Sequence, residues 1–368
     1  MTIPNPAVRR AHAGARVASC LAAAVVAAPF AASAERLGEV DVLVAPYVGV
    51  DTPGLAVLVT QDGVVRHRAG YGVADRTTRA PVTPETLFDL ASVSKQMTAL
   101  AAALLVEDGI LDPAVPVADV LTMLPALPKG ASRPILLEDL VRHTSGLPDY
   151  LGDAPGLGFD GGTEQAQVLD WLAGMPLDAE PGTAFAYSNT GYVALAALVA
   201  SAAGEESLDD VLHARIFDPL GMASSASGYP VEEARRAAGY AGTGGAFEAS
   251  EWDTSVEGDG SIWTSLADLA RYEAALANGM APTELLFSRG AFDDGERIAD
   301  ESGAGYGWGW SLYTDDRDRT VAAHGGSWYG TATYYYRGLD TGLSVIVLAN
   351  GEDLDAESLA WAIAQALE

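Results

Sequence analysis

The sequence predicts an α+β fold, in which strands from both ends of the chain form one sheet around a mainly helical middle region. β-Rich runs at 55–60 and 64–69 are joined by Asp-Gly, which indicates a hairpin. A second pair of β-rich runs lies at 331–337 and 343–350, near the other end of the chain. Because the segments between the two pairs are mostly helical in pattern, we expect the two ends to meet in one sheet.

Helical periodicity fills the middle of the chain and returns at its end. Glycine-rich stretches at 239–245 and 303–309 interrupt the pattern, and we interpret them as loops. The predicted helices cover about residues 92–107, 136–142, 164–172, 190–203, 208–216, 266–278 and 354–367.

The first 34 residues have the pattern of a secretory signal peptide. Arg9, Arg10 and Arg16 precede an apolar run over 17–30, and Ala32-Ser33-Ala34 supplies a small-residue cleavage site. A transmembrane anchor is the alternative, but this apolar run falls short of the roughly 20 residues that a span needs. We therefore expect a periplasmic or secreted protein with no stable membrane anchor after cleavage.

The 368 residues suit one large domain or two interleaved ones, with an ample core. Without the predicted signal peptide this domain covers 35–368. Its sheet segments are expected at about 35–90 and 300–368, with a helical region at about 91–299.

Composition and charge exclude several classes of function. The chain has 21 Lys+Arg against 50 Asp+Glu and a formal net charge of −29, which repels nucleic acid and favours a soluble monomer. An apolar fraction of 49% argues against disorder. One Cys supports neither an internal disulfide nor a cysteine zinc site. The five histidines are scattered and no metal or nucleotide motif is present, so we expect no metal and no cofactor.

The first motif that carries chemistry is Ser92-Val93-Ser94-Lys95. The three-residue spacing places the side chains of Ser92 and Lys95 on one face of the first helical turn. A lysine in that position either takes the serine proton or stabilises the serine anion. The alternative is an ordinary helix cap with a solvated lysine. Because the chain has only two lysines, Lys95 and Lys129, this spacing favours catalysis.

The second motif is Tyr187-Ser188-Asn189, on a turn that leads into a predicted helix. A tyrosine beside a lysine acts as a general base if the cation favours its phenolate. Asn189 is able to donate to a substrate carbonyl and to accept from Lys95. The alternative is that Asn189 only caps the helix and Tyr187 packs as a half-buried ring.

The third motif is His324-Gly325-Gly326-Ser327, expected just before the strand that begins at Thr331. Two glycines let a substrate backbone approach a strand edge closely. The backbone N–H of Ser327 is then placed to form an oxyanion hole with that of Ser92. The alternative is a plain Gly-Gly turn with a surface histidine.

In this order, the three motifs resemble those of the serine β-lactamase and D,D-peptidase superfamily. The likeness is to its branch of class C β-lactamases, D,D-carboxypeptidases, D-aminopeptidases and related esterases, and it covers about 55–350. Four further segments fit this branch: Leu140-Val141-Arg142-His143-Thr144-Ser145-Gly146-Leu147-Pro148, Pro219-Leu220-Gly221-Met222, 259–269 and Tyr306-Gly307-Trp308-Gly309-Trp310.

The resemblance implies a mainly antiparallel sheet flanked by helices, plus a mainly helical domain with the site between them. It makes Ser92 the acylated nucleophile and Lys95 its activating partner. Tyr187 becomes the base for acylation and deacylation, and Asn189 positions the substrate. The amides of Ser92 and Ser327 become the oxyanion hole.

The third motif departs from the β-lactamase pattern. His324 stands where β-lactamases usually have the lysine of K-T-G, and histidine is only partly charged near neutral pH. Gly325 removes the threonine hydroxyl, while Gly326 keeps the glycine. The pattern is similar to D-aminopeptidases and some esterases, so we expect weak β-lactamase activity.

The resemblance implies a secreted serine hydrolase that acts on small amides or esters through an acyl-enzyme. Its substrate is a small molecule or peptide, such as one derived from peptidoglycan. An esterase on small acyl esters remains open, as does a penicillin- or peptidoglycan-binding protein without turnover. His143 is interpreted as structural, and the loops at 149–162 and 239–253 as determinants of specificity.

Overall fold

A computed structural model describes residues 33–121, 131–152, 163–228, 233–250, 256–300 and 302–368. Nearly all of the predicted signal peptide lies outside these residues, as do parts of the two predicted specificity loops. In the described part of the chain, no helix has the length and apolar character to cross a membrane.

The strands lie mostly near the two ends of the chain. They are β1 Leu55–Gln61, β2 Val64–Tyr71, β3 Val73–Asp75, β4 Ala80–Pro81, β5 Phe88–Asp89, β6 Ala226–Ser227, β7 Tyr240–Ala241, β8 Glu248–Ala249, β9 Ile262–Thr264, β10 Gly305–Tyr306, β11 Ser311–Thr314, β12 Thr320–Trp328, β13 Thr331–Gly338 and β14 Leu343–Ala349.

Helices fill most of the middle and close the chain. They are α1 Ser33–Val44, α2 Lys95–Glu107, α3 Leu137–Val141, α4 Gln165–Ala173, α5 Asn189–Ala203, α6 Leu208–Leu212, α7 Asp218–Leu220, α8 Leu266–Ala277, α9 Thr283–Leu286 and α10 Ala356–Leu367. Short 3-10 turns lie at Ala45–Tyr47, Ala91–Ser94, Val117–Asp119 and Glu233–Arg235, and a π-helical turn at His213–Phe217.

The main sheet has seven strands in the order β10-β11-β12-β13-β14-β1-β2. Every neighbouring pair is antiparallel, and β1 joins the two ends of the chain by pairing with β14 on one side and β2 on the other. The predicted antiparallel sheet built from both chain ends is therefore confirmed. Three small sheets, β3-β4, β5-β9-β6 and β7-β8, flank it.

Three strands, two in the main sheet and one in a small sheet, contradict the sequence interpretation. The stretch at 303–309, expected to be a loop, contains β10, and 239–245 contains β7. β12 includes the third motif, which was expected to precede a strand rather than lie within one. Its interior is buried on both faces at 321–324 and then carries two glycines, so it lacks both the alternation and the β-branched composition that indicate a strand.

The centre of the sheet is buried on both faces. Leu55, Val57 and Val59 of β1 face a cluster that includes α1 and α10, while Ala56 and Leu58 face the cluster built on α2, α5 and α8. Such strands read as continuous apolar runs because neither face meets water. This two-sided packing fixes the sheet on which the 3-10 turn at Ala91–Ser94 rests, through contacts with β12 and β13.

Candidate active site

Ser92 lies in a strained turn between β5 and α2. The sequence analysis expected one helix from Ser92, but the structure begins α2 at Lys95 and places Ser92 in the preceding 3-10 turn. Ala91 has a φ of 46°, in the left-handed region that costs energy for a residue with a Cβ. Asp89 Oδ1 stabilises this turn by accepting from Ala91 N at 2.8 Å. The turn is thereby held in a conformation that a regular helix would not provide.

Lys95 is fully buried at the start of α2, with its amine surrounded by three acceptors. Lys95 Nζ donates to Asp259 O at 2.6 Å, to Asn189 Oδ1 at 2.8 Å and to Ser92 Oγ at 3.2 Å. An ammonium has three N–H donors and no acceptor, so this set matches it in number. The ordinary-cap alternative, with a solvated lysine, is therefore wrong, and the arrangement suits stabilisation of a serine anion.

Tyr187 lies beside Lys95, on the turn that leads into α5. Its ring centroid is 4.9 Å from Lys95 Nζ, within the range of a cation–π contact. The side chain is 39% exposed, so a substrate is able to reach it. The ring of His143 packs against the ring of Tyr187, with 4.3 Å between their centroids, and so helps to fix the position of Tyr187.

Asn189 is the first residue of α5, but it does not cap the helix. Ser188 does so, because its Oγ accepts from Gly191 N at 3.0 Å. Asn189 instead turns its Oδ1 to Lys95 and donates Nδ2 to Asp149 Oδ2 at 3.0 Å. An amide nitrogen carries two hydrogens, so one remains for a substrate carbonyl.

These side chains line one cleft with a cavity volume of about 140 Å³. Ser92, Tyr187, Asn189 and Ser327 all contribute to its walls. His324, Gly325 and Gly326 do not, although the ring of His324 lies 6.1 Å from that of Tyr187. The structure thus brings five of the eight predicted site residues together, counting Lys95 beneath Ser92, and leaves the other three along the strand behind them.

His324 is buried inside β12 rather than exposed on a turn. Its Nδ1 lies 2.7 Å from Gly325 O, which only accepts, so Nδ1 carries the hydrogen and Nε2 accepts from Tyr306 OH at 3.0 Å. Burial, together with the positive charge of Lys95, lowers the pKa of His324 to about 4. The ring is therefore neutral at neutral pH, and the surface-histidine alternative is wrong.

The lowered pKa of His324 predicts a pH-dependent loss of stability. Between pH 6.5 and about 4, His324 binds a proton in the unfolded chain but not in the folded chain. The free energy of unfolding therefore falls as the pH falls through this window. At about 1.4 kcal/mol per pH unit, wild type should lose about 3 kcal/mol relative to His324→Gln by pH 4. Urea unfolding of both proteins at pH 7 and pH 4 measures this difference.

The comparison with His324→Gln removes contributions that the two proteins share. Burial also raises the pKa of Asp89 and of Asp259 to about 6, and both groups titrate in either protein. If the two proteins lost stability in parallel on acidification, His324 would not be neutral in the fold.

Several residues at the site were not singled out as functional by the sequence analysis. Tyr150 OH donates to Asp259 Oδ2 at 2.8 Å, which fixes the residue whose carbonyl accepts from Lys95. His143 Nδ1 accepts from Ser188 N at 3.0 Å and supports the Tyr187 turn. Burial first, then the positive charge of Lys95, lowers the pKa of His143 well below its usual value. Each residue lies in or beside a segment quoted for the resemblance, but only the fold shows its contact.

In the part of the chain that the structure describes, no group of three or more His, Cys, Asp or Glu side chains is arranged to hold a metal ion.

The family assignment follows from the whole domain as well as from this cleft. The family model described as Beta-lactamase matches residues 40–368. The chain belongs to the beta-lactamase family. Its relatives in this family include penicillin-binding proteins, D-aminopeptidases and an esterase.

Relatives within the beta-lactamase family carry several different names. The chain is 30% identical over 325 residues to penicillin-binding protein 4* of Bacillus subtilis (strain 168), which covers 81% of this chain and 68% of that protein. It is 31% identical over 314 residues to a D-aminopeptidase of Gluconobacter oxydans (strain 621H), covering 81% of this chain and just over half, 56%, of that relative. The octameric penicillin-binding protein homologue from Pyrococcus abyssi has the same fold, with a TM-score of 0.75, 24% identity, and coverage of 92% of this chain and 78% of that one.

Proposed function

We propose that this protein hydrolyses small amides or esters through an acyl-enzyme on Ser92. The observation that carries the proposal is the position of Lys95 Nζ, buried 3.2 Å from the Oγ of Ser92, which lines a cleft that Tyr187 borders. A serine is a weak nucleophile until a neighbour removes its proton or stabilises its anion. Here a buried lysine lies within hydrogen-bond distance of the serine, and Tyr187 lines the same cleft.

The proposed reaction has two steps that balance in atoms and protons. Ser92 Oγ attacks the substrate carbonyl while the Tyr187 phenolate accepts the serine proton, and Lys95 stabilises the anionic oxygen. Tyr187 then returns the proton to the leaving amine or alcohol as the C–N or C–O bond breaks. In the second step Tyr187 takes a proton from water, and the hydroxide attacks the acyl carbon. The bond between that carbon and Ser92 Oγ then breaks while Tyr187 returns the proton to Ser92 Oγ, which releases the acid and restores the serine.

The edge of β12 supports binding of an extended substrate. β11 pairs with β12 only from Thr320 to Ala323, so from His324 to Trp328 that edge has no neighbouring strand among the described residues. A free edge presents backbone donors and acceptors to a peptide-like chain. The N–H of Ser327, at this edge and in the cleft wall, is proposed to bind the oxyanion together with that of Ser92.

The third motif argues against an anionic β-lactam as the preferred substrate. With its pKa near 4, His324 supplies no positive charge for a carboxylate at neutral pH. Gly325 supplies no hydroxyl. The space where its side chain would lie is open, because the atom nearest to a Cβ at this position would be Cδ2 of Tyr334, at 3.5 Å. We therefore propose a substrate with no carboxylate near His324, such as a neutral amide or ester, ahead of a penicillin.

Export and oligomeric state are also proposals. The basic and apolar pattern of the first 34 residues supports cleavage and a periplasmic or secreted location. The net charge of −29 supports a monomer. The amino-terminal sequence of the exported protein and its mass in solution test these two points.

Intact mass spectrometry tests the acyl-enzyme directly. Wild type and Ser92→Ala would each be mixed with a short nitrophenyl ester and, separately, with benzylpenicillin. We expect an adduct with the mass of the ester's acyl group, and steady hydrolysis of the ester, on wild type only. The penicillin should react little. Hydrolysis that survives in Ser92→Ala would refute the proposed nucleophile. A lasting penicillin adduct without ester turnover would instead support a penicillin-binding protein.

The pH dependence of any penicillin reaction sharpens this result. Because His324 stays neutral down to about pH 4, lowering the pH from 8 to 6 should not accelerate acylation by the anionic penicillin. An acceleration over this range would show that the histidine gains a charge that the substrate uses.

A further inference from the structure

Asp149 lies directly behind Asn189, in a loop that none of the three motifs includes. Its Oδ2 accepts from Asn189 N at 2.8 Å and from Asn189 Nδ2 at 3.0 Å. Its Oδ1 accepts from Leu151 N at 2.9 Å. One carboxylate therefore contacts both the backbone and the side chain of a residue that also binds Lys95.

The orientation of the Asn189 amide follows from its two neighbours. A lysine ammonium only donates hydrogen bonds and an ionised carboxylate only accepts them, whereas an amide has one end of each kind. Only the orientation with Oδ1 toward Lys95 and Nδ2 toward Asp149 satisfies both neighbours. Turning the amide over would set nitrogen against ammonium and oxygen against carboxylate.

We propose that Asp149 is a positioning residue for the Ser92 reaction, an inference that rests on the proposed function. By fixing the Asn189 amide, it directs one oxygen to Lys95 Nζ at 2.8 Å and thereby holds the ammonium against Ser92 Oγ. It also leaves the second Nδ2 hydrogen for a substrate carbonyl. Asp149 itself does not line the cleft, so it acts through Asn189.

A purely structural role is the competing explanation, because Asp149 also ties its loop to the start of α5. The same loop has independent ties: Tyr150 N donates to Thr190 Oγ1 at 2.8 Å, and Tyr150 OH donates to Asp259 Oδ2 at 2.8 Å. Thr190→Val removes one of these ties without touching Asn189, so it is the matched control for loop attachment.

An exchange of the two side chains separates the explanations. Asp149→Asn sets an amide nitrogen against either residue 189 or Leu151 N, where the wild type has only acceptors, and is expected to lower kcat for a short nitrophenyl ester by roughly 10- to 100-fold. Asn189→Asp sets two carboxylates against each other and should lower kcat further. The double variant, with aspartate at 189 and asparagine at 149, removes this repulsion and restores a donor–acceptor pair between the two side chains, although one backbone N–H loses its acceptor. It should therefore recover part of the loss, about tenfold of kcat over Asn189→Asp.

The remaining measurements make each outcome decisive. Thr190→Val should keep kcat within about twofold of wild type while lowering the melting temperature. Slow variants are followed by acylation of Ser92 over hours in intact mass spectra, so that a low rate remains measurable. If Asp149→Asn fails to fold, the comparison of Asn189→Asp with the double variant still decides the point.

Two results would overturn the positioning role. One is a double variant no faster than Asn189→Asp, and the other is a loss of kcat in Thr190→Val as large as that in Asp149→Asn. Failure of the proposed function looks different, because hydrolysis would then survive in Ser92→Ala. If Ser92→Ala is inactive and Asp149→Asn behaves as wild type, only the positioning role fails.

Discussion

Replacing Lys95 by methionine should lower kcat/KM for a short nitrophenyl ester by at least about a thousandfold, because removal of one member of a catalytic unit costs nearly as much as removal of the unit. The lysine is the cation that lies within hydrogen-bond distance of Ser92 Oγ in the described cleft. Methionine fills similar space without charge or donor. Steady-state kinetics, with intact-mass detection of Ser92 acylation, measure the loss.

The fold should survive the Lys95→Met change. It leaves Asn189 Oδ1 and Asp259 O without their lysine donor, at about 1–3 kcal/mol for an unmade buried hydrogen bond, but it also removes a buried charge. Gln96→Met is the control, because Gln96 is buried on the same turn and its Nε2 has no hydrogen-bond partner among the described residues. Activity of Lys95→Met within tenfold of that control would contradict the catalytic role of the lysine.

Replacing Gly326 by alanine should damage both stability and activity. A Cβ at this position would lie 2.3 Å from Thr333 Oγ1 and 2.4 Å from Leu90 O, closer than such atoms approach. Thr333 Oγ1 donates to Leu90 O at 2.8 Å, two residues before Ser92, so the clash pushes on the turn that carries the nucleophile. We expect a loss of about 1–3 kcal/mol in the free energy of unfolding, typical of overpacking, and of at least about tenfold in kcat, since small misplacements of reacting groups are costly.

Gly325→Ala is the matched control for Gly326→Ala, one residue away on the same strand. A Cβ there would meet Tyr334 at 3.5 Å, an ordinary contact, and the residue is exposed. Its unfolding free energy should stay within about 0.5 kcal/mol of wild type, as for most surface substitutions. Urea unfolding of the pair measures the contrast. Equal stability of the two variants would show that β12 does not press on the Ser92 turn.

Much of the fold was predictable because its signals are local or repeated. The Asp-Gly hairpin gave β1 and β2, with both strands within two residues of their predicted ends. Long periodic segments gave α2, α5 and α8. β12 was missed because burial on two faces removes alternation and glycine weakens strand propensity. The short strands β5, β6 and β9 were missed because two or three residues carry no period.

The candidate site was predicted in part, and the missing part is long-range. Ser92 and Lys95 are three residues apart, so helical spacing alone pairs them. The contact between Asn189 and Lys95 joins residues 94 positions apart, so donor–acceptor chemistry suggested it but no local spacing supported it. The neutral state of His324 depends on burial in β12 and on the nearby Lys95, which no local pattern contains. The same holds for Asp149, because its proposed role rests on its contact with Asn189, the first residue of α5.

Because β13 supports the Ser92 turn, the turn can be completed only after β13 has been synthesised. Thr333 contacts Leu90 across 243 positions of chain. A ribosome adding about 5–20 residues per second takes roughly 12 to 50 s to make that stretch. Throughout that interval the Ser92 turn lacks its contact with β13. One edge of β1 also stays unpaired until β14 has been made. We therefore expect the Ser92 turn to reach its final geometry only after β13 has been made, and the open edge of β1 to be most exposed to wrong pairing until β14 follows.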